Sequence, residues 1–200
     1  MFYELEYDDR YPCLWNNNSV RQYTSIFCTK YPEHQRGRRS AWSLSLIQKN
    51  KNLPDFCNTF YSDWIIKDHV AEKLKGSGFT GFDLRPVDLK NNRTGGPVWE
   101  LFVTGKGGEA HPSSGIVKIR ECPYCGNTQY RAFTNGIGII VDENNWDGCD
   151  FFTITAYPKF VLVTERVMEF IAEQHWSGVK LTPSTELINR YLGNGEVSPF

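Results

Sequence analysis

The sequence predicts an α+β fold: a mainly antiparallel central sheet flanked by helices from two similar helix–strand units. Three observations predict it. Short runs of period-two hydrophobicity recur along the chain, separated by turn residues. Residues 63–86 and 160–183 match each other at a constant offset of 97, without a gap. The composition, 40% hydrophobic and 14% aromatic, suffices for a buried core and is too apolar for disorder. At 200 residues the chain suits one domain, 1–200, with a natural dividing point at the turn-rich stretch 91–97 into halves 1–94 and 95–200.

Each element follows from local pattern. Phe2, Glu4 and Glu6 alternate with Tyr3, Leu5 and Tyr7, which predicts a strand. Residues 8–20 have loop composition, with Pro12 and three consecutive asparagines. Strands are predicted at 23–29 and 42–47. In the repeated segments, Ile66, Val70 and Leu74, and then Val163, Val167, Phe170 and Ile171, fall at helical spacing and predict one buried stripe per helix. Asp68 and Glu165 fall in the predicted first turns, where the helix dipole favours acids by ~0.3–1 kcal/mol. An aromatic-x-Gly turn and a short strand ending at Pro86 or Pro183 follow. Further strands are predicted at 98–104, 116–120, 130–133 and 137–141. Thr182 and Pro183 predict the start of a last helix over 184–192, stopped by Gly193.

Two glycine motifs carry no phosphate chemistry. Gly76-Ser77-Gly78-Phe79-Thr80-Gly81 has dinucleotide spacing, but it follows a helix and leads into a strand, the reverse of what phosphate binding needs. Gly76 and Gly78 read as helix stops requiring positive φ. Residues 105–108, Gly-Lys-Gly-Gly, lack the phosphate-loop spacing and read as a mobile hairpin loop. The basic run 36–39 reads as a solvated loop, with an acidic or phosphate contact as its functional alternative.

Charge and cysteine usage bound the function. A net charge of −1 and a pI near 6.4 give no global pull toward nucleic acid or anionic membrane. No apolar run approaches the ~18 residues of a membrane span. Six cysteines spread over a chain this size fit reduced thiols, and a cytoplasmic location is expected. Cys122-Pro123-Tyr124-Cys125-Gly126 is a knuckle sequence: two thiolates three positions apart can hold one zinc at ~2.3 Å each. No second Cys-x-x-Cys exists, so completion falls to Cys13, Cys28, Cys57, Cys149, His34, His69, His111 or His175, none at diagnostic spacing. A structural zinc, a relic turn with free thiols and no cofactor, and a redox pair all remain open.

Residues 141–152 set Asp142, Glu143, Asp147 and Asp150 around Trp146, Phe151 and Phe152. An aromatic anchor with an acidic rim would suit a basic protein surface, and Asp142, Glu143, Trp146, Asp147 and Asp150 are the predicted partner-binding residues. Turn-forming and core roles are the competing reading, and no histidine or nucleophile nearby forms a catalytic arrangement.

The segments 78–87, 122–126, 141–152 and 161–171 together resemble a bacterial family of immunity proteins known for a double CxxCG motif. The resemblance covers roughly residues 60–183. It implies a cytoplasmic, non-catalytic protein that binds and neutralises a cognate protein toxin by occlusion, with no membrane role. The sequence departs from the family in having one CxxCG. The resemblance places the first pair near 52–57, where Cys57 alone stands. The alternative reading is a zinc-knuckle protein that binds nucleic acid through residues 36–39 and the knuckle, disfavoured by the charge balance.

Overall fold

The computed structural model describes residues 1–39, 41–131 and 138–186, backbone only over 35–39. In chain order the strands and helices are β1 (Phe2–Tyr7), β2 (Trp15–Asn16), β3 (Tyr23–Phe27), β4 (Gln35–Arg39), β5 (Ser45–Ile47), β6 (Phe56–Asn58), β7 (Trp64–Lys67), α1 (Asp68–Gly76), β8 (Phe82–Pro86), β9 (Asp88–Lys90), β10 (Val98–Val103), β11 (Gly105–Lys106), β12 (Val117–Glu121), β13 (Thr128–Arg131), β14 (Phe151–Ile154), β15 (Tyr157–Thr164), α2 (Glu165–Gln174) and β16 (Val179–Pro183). The class is α+β, with antiparallel pairing dominant. That pairing is divided between two principal sheets, ordered β6-β7-β10-β8 and β11-β14-β15-β1-β16.

The two sheets are built alike. Adding 97 to the numbers of β7 gives the end of β15; adding it to β8 gives β16. The residues before the helices, Lys67 and Thr164, share one backbone conformation, φ −71° and −72°, ψ 160° and 161°. The likeness extends to strands the sequence comparison does not join. β10 lies between β7 and β8 as β1 lies between β15 and β16. Trp99 faces Ile66 and Pro86, and Tyr3 faces Val163 and Pro183. In chain order each half therefore runs strand, hairpin, helix, strand. The first strand of each half completes the sheet of the other: β1 sits among the strands of the second half, β10 among those of the first.

Two carboxylates clamp this exchange. Asp55, before β6, accepts hydrogen bonds from the Ser177 N–H and hydroxyl at 2.9 and 2.7 Å, and lies 3.3 Å from both Lys67 Nζ and His69 Nε2. Asp150, before β14, accepts from the Thr80 N–H and hydroxyl at 2.9 and 3.1 Å, from the Thr164 hydroxyl at 2.9 Å and from Arg166 Nε at 2.6 Å. Each acid thus ties its own sheet to the loop before the last strand of the other. The backbones repeat the theme: Phe56 N–H donates to Ser177 O and Phe151 N–H to Thr80 O. Gly81 and Gly178, at φ +87° and +85°, let these chains approach. A side chain on Gly178 would stand 1.9 Å from Phe56 O.

One core draws on both sheets and both helices, including Leu5, Ile66, Val70, Leu74, Leu101, Phe151, Val163, Val167 and Ile171. Strand alternation sends Ile65 to a second core with Leu14, Leu44 and Leu46 behind one sheet. Leu162 goes to a third, with Ile139, Val141 and Phe152, behind the other. Fully burying such a side chain contributes ~1.5–3 kcal/mol.

Several expected elements differ. Ile66 and Val163 lie in strands, one residue before their ends, rather than opening helices; they meet the stripes of Val70 and Val167 because all enter the same core. Gly78 has the expected positive φ, 72°, but Gly76 is helical. Gly105 and Lys106 pair in parallel with Phe152 and Thr153 instead of forming a loop. Thr182 and Pro183 pair with Glu4 and Tyr3 in a sheet, so they start no helix. Residues 184–186 form a short 3-10 turn, and the rest of that predicted helix, with Gly193, lies outside the described residues. Of the strand expected at 137–141, the described part contributes only a bridge from Val141 to Ala110.

Candidate metal centre

Two ribbons stand apart from the principal sheets. β3 and β4 pair from Tyr23 with Arg39 to Phe27 with Gln35, and β12 and β13 pair from Val117 with Arg131 to Glu121 with Thr128. Each ribbon turns on a cysteine directly after its first strand. The Cys28 N–H donates to His34 O at 3.2 Å, and the Cys122 N–H to Asn127 O at 2.8 Å. In the second ribbon Gly126, at φ +67°, returns its N–H to Cys122 O at 2.8 Å, the tight turn a knuckle needs.

The two turns meet. Cys28, His34, Cys122 and Cys125 bring one ligand atom each, all within 4.8 Å of one another, and could hold a metal ion. Cys28 Sγ and Cys122 Sγ are 3.9 Å apart, as are Cys125 Sγ and His34 Nδ1. Tetrahedral zinc with ~2.3 Å bonds sets two sulfurs about 3.8 Å apart, so the donor set fits in both kind and spacing. Cys28 and Cys122 are buried, and Tyr31 packs its ring against His34 at 5.2 Å.

The protonation states suit a cation. Burial raises the Cys122 thiol, but hydrogen bonds from the Tyr124 and Cys125 N–H groups, with Cys125 and His34 beside it, bring it down to about 6. Cys122 is then a thiolate at neutral pH, the form a metal requires. The Asn127 N–H lowers Cys125, yet burial and the Cys122 and Cys28 sulfurs outweigh it and raise that thiol. A cation at the centre of the cluster would offset this mutual repulsion of the sulfurs.

The sequence located half of this site. The motif at 122–126 gave Cys122 and Cys125. Cys28 and His34 stood among eight candidates, and only the ribbon turns select them. Cys57, expected at the position of a first CxxCG pair, lies in β6, buried against the Ile65 carbonyl at 3.5 Å, and belongs to a core. His69 serves Asp55 and His111 caps a 3-10 turn.

The acidic–aromatic run at 142–150 serves largely to fold its own turn. Asp142 accepts from the Asn144 N–H and Asn145 Nδ2. The Trp146 indole donates to Cys149 O at 3.0 Å, and its ring packs edge-on against Phe2 at 5.1 Å. Asp147 accepts from the Lys106 and Cys149 N–H groups; burial raises its carboxyl, but these bonds hold it below the usual range. Asp150 is buried within its clamp; burial raises its carboxyl, but Arg166, Thr80 and Thr164 outweigh that and hold it below the usual range. Glu143 is exposed.

No protein-family model matches the chain, and no curated protein matches it. Among the described residues, no helix is long and apolar enough to cross a membrane.

Proposed function

We propose that this chain is a non-catalytic, immunity-type protein that binds and neutralises a cognate protein toxin by occlusion, and that its ribbons are joined by one structural zinc ion. The observation that carries the reading is the closed donor set of Cys28, His34, Cys122 and Cys125. Four protein ligands leave no open position for substrate or water, which is the pattern of a structural rather than a catalytic zinc. The zinc would supply cross-linking alone, holding the ribbon of one half to that of the other. The second turn, Cys28 to His34, also answers the departure from the double-CxxCG pattern: two metal-binding turns are present, one of them written as Cys-x5-His. Neutralisation needs only a fitted surface that blocks the toxin, with no proton transfer or nucleophile.

Elemental analysis of the purified chain should find about one zinc per molecule, falling below about a tenth in Cys122→Ser/Cys125→Ser. A toxin encoded beside this chain, lethal alone, should be harmless when the chain is co-expressed and should purify with it in equal amount. A neighbouring toxin that kills with or without this chain would overturn the immunity reading, whatever the zinc content.

A further inference from the structure

The ribbon pair differs from the rest of the molecule in charge and exposure. Residues 23–39 carry Lys30, Arg36, Arg38 and Arg39 against Glu33, and residues 117–131 carry Lys118, Arg120 and Arg131 against Glu121. The two segments are thus five charges positive in a chain whose net charge is −1, leaving the remainder six charges negative. All five residues of β12 are exposed. Phe27, Val117, Ile119 and Tyr124 stand 58%, 51%, 56% and 59% exposed. β12 and β13 pair only with each other, so among the described residues each of these two strands keeps one edge without a partner strand.

We propose that this ribbon pair is the docking face for the partner, and that it receives an extended acidic segment of a protein. This rests on the partner-binding reading above. The free edges of β12 and β13 offer main-chain donors and acceptors to an added strand, and flanking side chains select what joins it. The basic excess selects acidic side chains. The exposed aliphatics of β12 favour protein over nucleic acid along that strand. Val117 and Ile119 offer no ring for a base to stack on, whereas single-strand binders interleave aromatics with their basic groups. A partner side chain can bury against both. Part of the charge is already engaged: Lys118 pairs with Glu121, and Arg120 lies over the Tyr31 ring at 5.7 Å. The metal turns anchor both ribbons at one end, which lowers the ordering cost of binding.

The test uses the full zinc-loaded chain and three fluorescein-labelled probes in low salt: a short peptide alternating Glu and Val, its Lys–Val counterpart, and an oligothymidylate. Anisotropy should show the Glu–Val peptide binding at least about tenfold more tightly than either other probe. Arg120→Glu combined with Ile119→Asp should weaken it about tenfold or more, with zinc content and circular dichroism unchanged. Equal or tighter oligothymidylate binding would overturn the proposal in favour of nucleic acid. A Glu–Val peptide that fails to bind, or binds the double variant as well as the native chain, would also overturn it. Sedimentation showing a dimer that Arg120→Glu dissolves would make the occupant a second copy of this chain. A toxin neutralised equally by native chain and double variant would remove this face while leaving the immunity reading intact.

Discussion

Asp150→Asn isolates one of the two clamps between the sheets. The amide keeps the shape of the carboxylate but loses its charge, and its NH2 must face one of the groups that now donate. Those are the Thr80 N–H and hydroxyl, the Thr164 hydroxyl and Arg166. Hydrogen bonds to a charged group contribute about 1.5–3 kcal/mol each and are not additive. One-sided loss of a fully buried pair costs about 3–5 kcal/mol. Here the Arg166 side chain is 57% exposed and can rehydrate, so the lower part of the range applies, about 2–3 kcal/mol. For a chain of this size that is a fall in Tm of about 4–12 °C. The effect has a signature in pH. The folded carboxyl is held below its ordinary value, so its contribution is present above the unfolded pKa of ~3.9 and is lost as pH falls through the folded value. Thermal melts of native and variant chains should differ by a constant gap from neutral pH down to about 5, and the gap should close in stronger acid. A gap under about 1 °C at neutral pH, or one undiminished in acid, would refute the clamp.

Three further predictions follow from the same geometry. Gly178→Ala sets a methyl group 1.9 Å from the Phe56 carbonyl at φ +85° and should cost about 3 kcal/mol or more, while Gly148→Ala, also at positive φ but with nothing within 4 Å, should cost about 1 kcal/mol; equal losses in chemical denaturation would show the close approach to be harmless. In the metal-free site Cys122 is lowered to about 6, so its thiolate is present at neutral pH and is protonated as pH falls through that value; the ultraviolet thiolate absorbance of the chelator-treated chain should therefore drop between about pH 7 and 5, and an absorbance unchanged over that range would contradict it. A protease site placed within residues 91–96 and cut after folding should leave two pieces that elute together, since each carries a strand paired in the sheet of the other; separate elution would refute the exchange.

The α+β class and the offset of 97 were legible because helix stripes and aromatic-x-Gly turns leave a strong pattern. The correspondence of β1 with β10 was not. FYELEY and VWELFV share only Glu-Leu, and their offset is 96, so no ungapped comparison joins them. Ile66 and Val163 misled because a strand that turns directly into a helix delivers its last inward residue to the same core, imitating helical spacing. The metal site was half legible for a similar reason. Cys122-x-x-Cys125 is a local signature, but Cys28-x5-His34 has no regular spacing and gains its meaning only where the two ribbons meet. Asp150 looked available to a partner because nothing in the sequence announces Thr80 and Arg166 as its neighbours.

The strand exchange also sets an order of events during synthesis. β1 lies between β15 and β16, and the first of these partners begins at Tyr157, 150 residues after Tyr7. At ribosomal speeds of about 5–20 residues per second, it waits roughly 10–30 s for the strands it must enter. The first sheet waits a shorter time, since β10 follows β8 closely and can close β7 and β8 while the second half is still being made. The nascent chain thus carries an unpaired strand beside an already folded sheet, the interval in which a chaperone, or the wrong neighbour, has access to it.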